Sequence, residues 1–167
     1  MKANRAVLLV PLFLLACATT EKMEMETPHT PDYLPHGDAL RTLTVTNAGP
    51  APATIVVLTE AVAVKEGGPK ETVARFGEVY AFSPSFMAVH RDEPTWIRFW
   101  NLQPDDEHDF LLIDPHNNVL MKITLPPLQQ TAYVFTFHEE GLFPFICAMH
   151  RPAMNGQILV LPPTAEK

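Results

Sequence analysis

Phe143-Pro-Phe-Ile-Cys147-Ala-Met-His150-Arg-Pro-Ala-Met154-Asn-Gly156 is the stretch on which the reading of this chain turns. Within eight residues it carries a thiol, an imidazole and a thioether at the spacing Cys-x-x-His-x-x-x-Met. An apolar run leads into it and a second one, Gly156-Gln-Ile-Leu-Val160, leads out. A strand that ends, a short loop and a strand that begins can bring the three side chains to one point. Thiolate and thioether are soft donors, and imidazole completes a set that suits copper. Each residue also has an ordinary reading: a free cysteine is most often a small buried hydrophobe, and methionine a gap filler. A metal accounts for Cys147 and His150 together.

A second imidazole has to come from elsewhere in the chain. His108 opens the run His108-Asp-Phe-Leu-Leu-Ile113 directly after the polar stretch Gln103-Pro-Asp-Asp-Glu107, itself preceded by the run 95–102 that holds Asn101. The rival is His90, in Phe86-Met-Ala-Val-His90-Arg91, and the place of His108 after the Asn101 run favours it. His116 and His138 read as turn and strand-edge surface residues. Two histidines and a cysteine in a plane, with a long axial methionine, make the donor set of a blue-copper electron-transfer site.

Outward from these segments the chain is a series of short β-rich runs. They are 40–46, 53–64, 72–82, 95–102, 108–113, 118–125, 131–137, 143–149 and 156–161. In 95–102 the alternation is plain: Trp96, Arg98 and Trp100 share one face, while Ile97, Phe99 and Asn101 or Leu102 share the other, as a half-buried strand requires. Turn residues fall between the runs, among them Gly67-Gly-Pro69, Ser83-Pro-Ser85, Asp92-Glu-Pro94 and Pro126-Pro127. Seventeen prolines against seven glycines argue against a helical bundle, because proline removes a backbone donor and kinks helix interiors. Turn signals every eight to twelve residues predict an all-β sandwich or barrel. The chain is 167 residues, one core is expected, and the domain is placed at 39–162 with a C-terminal tail at 163–167.

Ahead of the domain the sequence changes character. Lys2 and Arg5 precede an apolar run from Ala6 to Ala16, too short to cross a hydrocarbon layer of roughly 30 Å. Residues 1–16 read as a signal peptide. Leu14-Leu-Ala-Cys17 resembles a bacterial lipobox, so Cys17 is expected to be the lipidated first residue of the mature chain; the plainer reading is a secretory signal with an incidental cysteine. Residues 17–38 hold prolines, scattered charges and no sustained apolar period, which predicts a flexible tether. The protein is therefore expected on the periplasmic side of a bacterial membrane, held by a lipid anchor, as a monomer. With Cys17 lipidated, Cys147 has no disulfide partner in a compartment that oxidises paired thiols, and is either buried and inert or held by a metal. The formal charge of −7 removes the basic surface that nucleic acid requires.

The whole pattern resembles the cupredoxin family, in which a strand ending in asparagine leads through a loop to the first histidine, and a Gly-aromatic-aromatic-x-Cys-x-x-His…Met loop lies near the C-terminus. Here Phe135-Thr-Phe-His-Glu-Glu-Gly141-Leu-Phe-Pro-Phe-Ile-Cys147 is the approach, and the likeness spans roughly 75–161. The resemblance implies a Greek-key β-sandwich or barrel and one copper ion cycling between Cu(I) and Cu(II). It implies His108, Cys147 and His150 as equatorial ligands and Met154 as the axial one, with one-electron transfer and no substrate turnover. Electron passage through the His150 edge is implied too, with Met149, Pro152 and Ala153 as an apolar docking rim. Asp105, Asp106 and Glu107 form either a solvated turn or an acidic patch that steers a basic redox partner, such as a cytochrome or an oxidase. The chain departs from the family twice. Its three-residue gap between His150 and Met154 lies between those of amicyanin-like and plastocyanin-like members. Asp109 stands where many relatives have an asparagine that ties the two ligand loops. A second function is an envelope copper carrier that delivers metal to another protein, suggested by Met23, Met25, His29 and His36 in the tether. A third is a structural lipoprotein without metal.

Overall fold

Alternation of apolar and polar residues becomes alternation of faces in ten strands and two short helices, which the computed structural model describes over residues 39–47 and 49–164. In chain order they are α1 (Ala39–Thr42), β1 (Leu43–Thr46), β2 (Ala53–Ala63), α2 (Lys70–Phe76), β3 (Val79–Ser83), β4 (Phe86–His90), β5 (Thr95–Asn101), β6 (His108–Ile113), β7 (Val119–Leu125), β8 (Gln130–Phe137), β9 (Gly141–Ile146) and β10 (Asn155–Leu161). The signal segment, Cys17 and the tether lie outside the described residues. No helix among the described residues is long and apolar enough to cross a membrane.

The strands form two five-stranded sheets, ordered β1-β8-β5-β2-β3 and β4-β10-β9-β6-β7. β2 pairs parallel to β5 and β4 parallel to β10, and the other pairings are antiparallel. The chain first passes from one sheet to the other at Ser83-Pro84-Ser85, between β3 and β4, and returns to the first sheet for β5 and β8. The all-β sandwich expected from the turn spacing is the fold observed.

Phenylalanines from both sheets fill the space between them. Phe99 and Phe110 have ring centroids 4.6 Å apart, Phe110 and Phe145 5.0 Å, and Phe82 and Phe145 5.3 Å. Burying such a ring stabilises a fold by about 1.5–3 kcal/mol relative to leaving it exposed. The close packing also explains Gly156. A Cβ at that position would stand 2.3 Å from Phe145 Cζ and 2.3 Å from the Ser85 carbonyl oxygen, so only glycine lets β10 lie against the Phe145 ring.

The β5 alternation holds: Ile97, Phe99 and Asn101 are buried, Leu102 is exposed beyond the strand end, and the Arg98 guanidinium lies 4.8 Å from the Trp96 ring on the outer face. Four of the sequence boundaries need correction. Residues 40–42 of the expected first strand, 40–46, belong to α1. The run 72–82 divides at Gly77 (φ 78°), where α2 ends; Val73 and Gly77 close its last turn, and only Val79–Ser83 is strand. β4 was absent from the expected strands, although Met87 and Val89 point inward from it. β9 stops at Ile146, so Cys147 begins the loop and does not continue the strand.

Candidate metal centre

One end of the sandwich collects the end of β5, the start of β6, the end of β9 and the start of β10. His108 is the first residue of β6 and points into the core, where it is 0% exposed. Cys147 follows β9 and is also 0% exposed. Its backbone N–H donates to the Met154 carbonyl at 2.9 Å, and the Met154 N–H donates to the His150 carbonyl at 3.3 Å. These two bonds close the loop 147–154 on itself and fix where its side chains project.

His108, Cys147 and His150 converge. His108 Nδ1 lies 3.0 Å from His150 Nδ1 and 3.9 Å from Cys147 Sγ, and Cys147 Sγ lies 3.6 Å from His150 Nδ1. A triangle with those edges has a centre about 2 Å from each corner, close to the roughly 2.0–2.3 Å at which imidazole nitrogen and thiolate sulfur bind a divalent first-row metal. The donors therefore fit one metal ion as they stand. Met154 is 1% exposed and belongs to the same core cluster as Cys147.

Burial, together with the nearby His150, pushes the His108 pKa down to about 4, so its ring is neutral near pH 7 and has a lone pair to give. Burial pushes the Cys147 thiol up, against the hydrogen bonds it receives. A buried thiol of that kind becomes a thiolate when a cation replaces its proton. His108 Nε2 is buried without a hydrogen-bond partner, so no bond on its far side fixes the tautomer.

Three clamps hold the ligand loops. Asn101, buried at the end of β5, uses its whole amide: Nδ2 donates to the carbonyls of Asp106 (2.8 Å) and Leu125 (2.9 Å). Its Oδ1 accepts from Thr59 Oγ1 (2.7 Å) and the Gln103 N–H (3.0 Å). The loop carrying His108 is thus pinned to β2, β5 and β7. Tyr80, on β3, forms the second clamp. Its ring meets both imidazoles edge-on, with centroids 4.8 Å from His108 and 4.6 Å from His150, and its hydroxyl donates a short hydrogen bond to Asp106 Oδ2. Burial and that carboxylate hold the phenol far above its usual range. Asp109 is the third. Its N–H donates toward Cys147 Sγ at 3.5 Å and its Oδ1 accepts the Ala148 N–H at 2.5 Å, so the carboxylate ties the two ligand loops from a position where many cupredoxins have an amide.

The structure brings together His108, Cys147 and His150 and leaves His90 out. His90 ends β4 at the opposite end of the sandwich, with Nδ1 2.6 Å from the Pro162 carbonyl. His116 is exposed in a turn, and His138 is half-buried between Asp92 (2.8 Å) and Thr44 (2.9 Å). Met149 is 47% exposed beside half-buried His150, and Pro152 and Ala153 are exposed. Asp105 and Glu107 are solvated, whereas Asp106 is half-buried and engaged by Tyr80. Tyr80 escaped the sequence reading because nothing local marks it; its alternation with Phe82 signals an inward face, but not what lies there.

No protein-family model matches the chain. No curated protein matches it either. Solved structures do. Auracyanin B superposes with a TM-score of 0.53 at 14% identity, covering 73% of this chain and 99% of its own. The copper nitrite reductase from Nitrosomonas europaea gives 0.52 at 13% identity, covering 68% of this chain and 50% of the enzyme. A multicopper oxidase gives 0.50 at 16%, over 68% and 45%. This chain spans about half the length of the two enzymes. At such identities the likeness is one of architecture, and the architecture is the one that the ligand-bearing segments imply: a cupredoxin-like fold.

Proposed function

We propose that this chain is a mononuclear copper protein that carries single electrons in the bacterial cell envelope. The observation that carries the reading is the triangle of Nδ1, Sγ and Nδ1 atoms, already at metal-binding separation. His108, Cys147 and His150 would hold the ion, with Met154 as the fourth donor. Copper, when bound, supplies a one-electron Cu(II)/Cu(I) couple for which thiolate, thioether and imidazole together suit both states. The chain's own part is to keep the donors still. Asn101, Tyr80 and Asp109 fix the loops by bonds that involve no metal, so the ligands need not follow a change of charge. Half-buried His150, rimmed by Met149, Pro152 and Ala153, offers a short path to a docked redox protein such as a cytochrome or an oxidase. Exposed Asp105 and Glu107 favour a basic partner.

With Met154 as a fourth donor the protein would fill the coordination sphere of a bound ion, which supports a carrier and not an enzyme that must bind substrate at the metal. Export, lipidation at Cys17 and a tethered monomer belong to the same proposal and rest on the sequence of residues 1–38. The carrier that hands copper on drew its support from the Met and His residues of that tether, and no feature of the folded domain favours it.

The test is to load Cys17→Ser protein with copper and record absorption, electron paramagnetic resonance and voltammetry. An intense visible thiolate-to-copper band and a reversible one-electron wave are expected. A colourless protein whose copper content is unchanged by Cys147→Ala would overturn the reading.

A further inference from the structure

The carboxylate of Asp109 is 1% exposed, and only one of its oxygens is hydrogen-bonded. Oδ2 has no hydrogen-bond partner, and Lys122 Nζ lies 3.6 Å from it, outside hydrogen-bond range but within reach of an ion pair. β6 and β7 pair Asp109 with Thr124 and Leu111 with Lys122, so Lys122 sits diagonally across from Asp109 on the same outer face of the sheet. A long side chain spans that diagonal. The lysine side chain is itself one-third exposed.

The position of this pair gives it consequence. Through its own N–H, Asp109 bonds toward the sulfur of Cys147, and through Oδ1 it holds the next residue of the ligand loop. A buried anion so close to a thiolate is costly unless a cation accompanies it. A negative charge beside a metal favours its higher oxidation state, and a positive charge the lower.

We propose that Lys122 is a positioning residue for the metal centre: it compensates Asp109, keeps the carboxylate on the Ala148 N–H and raises the reduction potential. The proposal rests on the copper reading for its redox consequence, and on the metal-free protein for its structural one. Nothing local in Lys122-Ile-Thr124 marks the lysine out; it is found only through its strand register.

Two measurements test it. In copper-loaded protein at fixed pH, Lys122→Met and Lys122→Gln are expected to shift the redox equilibrium about tenfold toward Cu(II), about 59 mV lower for one electron. Lys122→Arg should stay within about twofold of the parent and Asp109→Asn should move the opposite way. In metal-free protein, amide exchange at Ala148 should quicken in Lys122→Met and not in Lys122→Arg. Variants that fold and bind copper with an unmoved or raised potential would overturn the tuning role, and unchanged Ala148 exchange would overturn the positioning role. Should the parent bind no copper, the functional reading fails while the exchange measurement still decides what Lys122 does to the loop.

Discussion

Acidifying the metal-free protein is expected to cost it stability, with His108 setting the amount. Its ring is fully buried, and its folded-state pKa of about 4 lies well below the ordinary 6.5. Folding therefore disfavours the protonated ring. Between pH 6.5 and about 4 the unfolded chain takes up a proton that the folded chain refuses. The unfolded state then binds more protons, so stability rises with pH across that window. The contribution is complete above 6.5, is lost as pH falls toward 4, and levels off below. At about 1.36 kcal/mol per pH unit the gap amounts to about 3 kcal/mol, a large part of the roughly 5–15 kcal/mol typical of a domain. The assay is urea unfolding of metal-free Cys17→Ser protein at pH 7, 5.5 and 4, run beside the same protein carrying His108→Gln. Asp92 and Asp114, whose carboxyls are both held below the usual range, also weaken the fold in acid, but they are common to both proteins and cancel in the difference. The parent should lose about 3 kcal/mol more than the variant over the window. A difference below about 1 kcal/mol would mean that His108 is solvated, and would refute the buried geometry from which the centre is built.

Other substitutions probe the clamps and the packing. Tyr80→Phe keeps the ring on both imidazoles and removes the bond to Asp106, so denaturation should show a loss of about 1.5–3 kcal/mol with copper stoichiometry unchanged. Asn101→Ala strips four hydrogen bonds from a buried site; a loss of about 3 kcal/mol or more is expected, with faster amide exchange in 102–107 and weaker copper binding. Gly156→Ala drives a methyl into the Phe145 ring and the Ser85 carbonyl, and calorimetry should report a destabilisation of about 1–3 kcal/mol or greater. An alanine tolerated there without loss would show that β10 does not lie where the packing places it.

The sequence was most legible where one side chain's partners lie nearby in the chain. Cys147, His150 and Met154 share a loop whose own backbone bonds set their separation, so their spacing alone announced a soft site. His108 was legible more weakly, since the preference over His90 came from the turn ahead of it and not from any view of the other ligands. Period-two alternation revealed β5 because its two faces meet different surroundings. It misread 72–82 because Val73, Phe76 and the residues after Gly77 are apolar at intervals that suit a strand as readily as a helix, and the positive φ at Gly77, not hydrophobicity, separates the two. Tyr80 and Lys122 were illegible for another reason. Each acts on the centre from a strand that carries no ligand, Tyr80 from the opposite sheet and Lys122 from the strand beside β6. Their roles are set by sheet order and register, which no window of neighbouring residues contains. The ligands can thus be read from one segment and a turn, whereas the forces that hold the ligands still, and that would set their potential, belong to the fold as a whole.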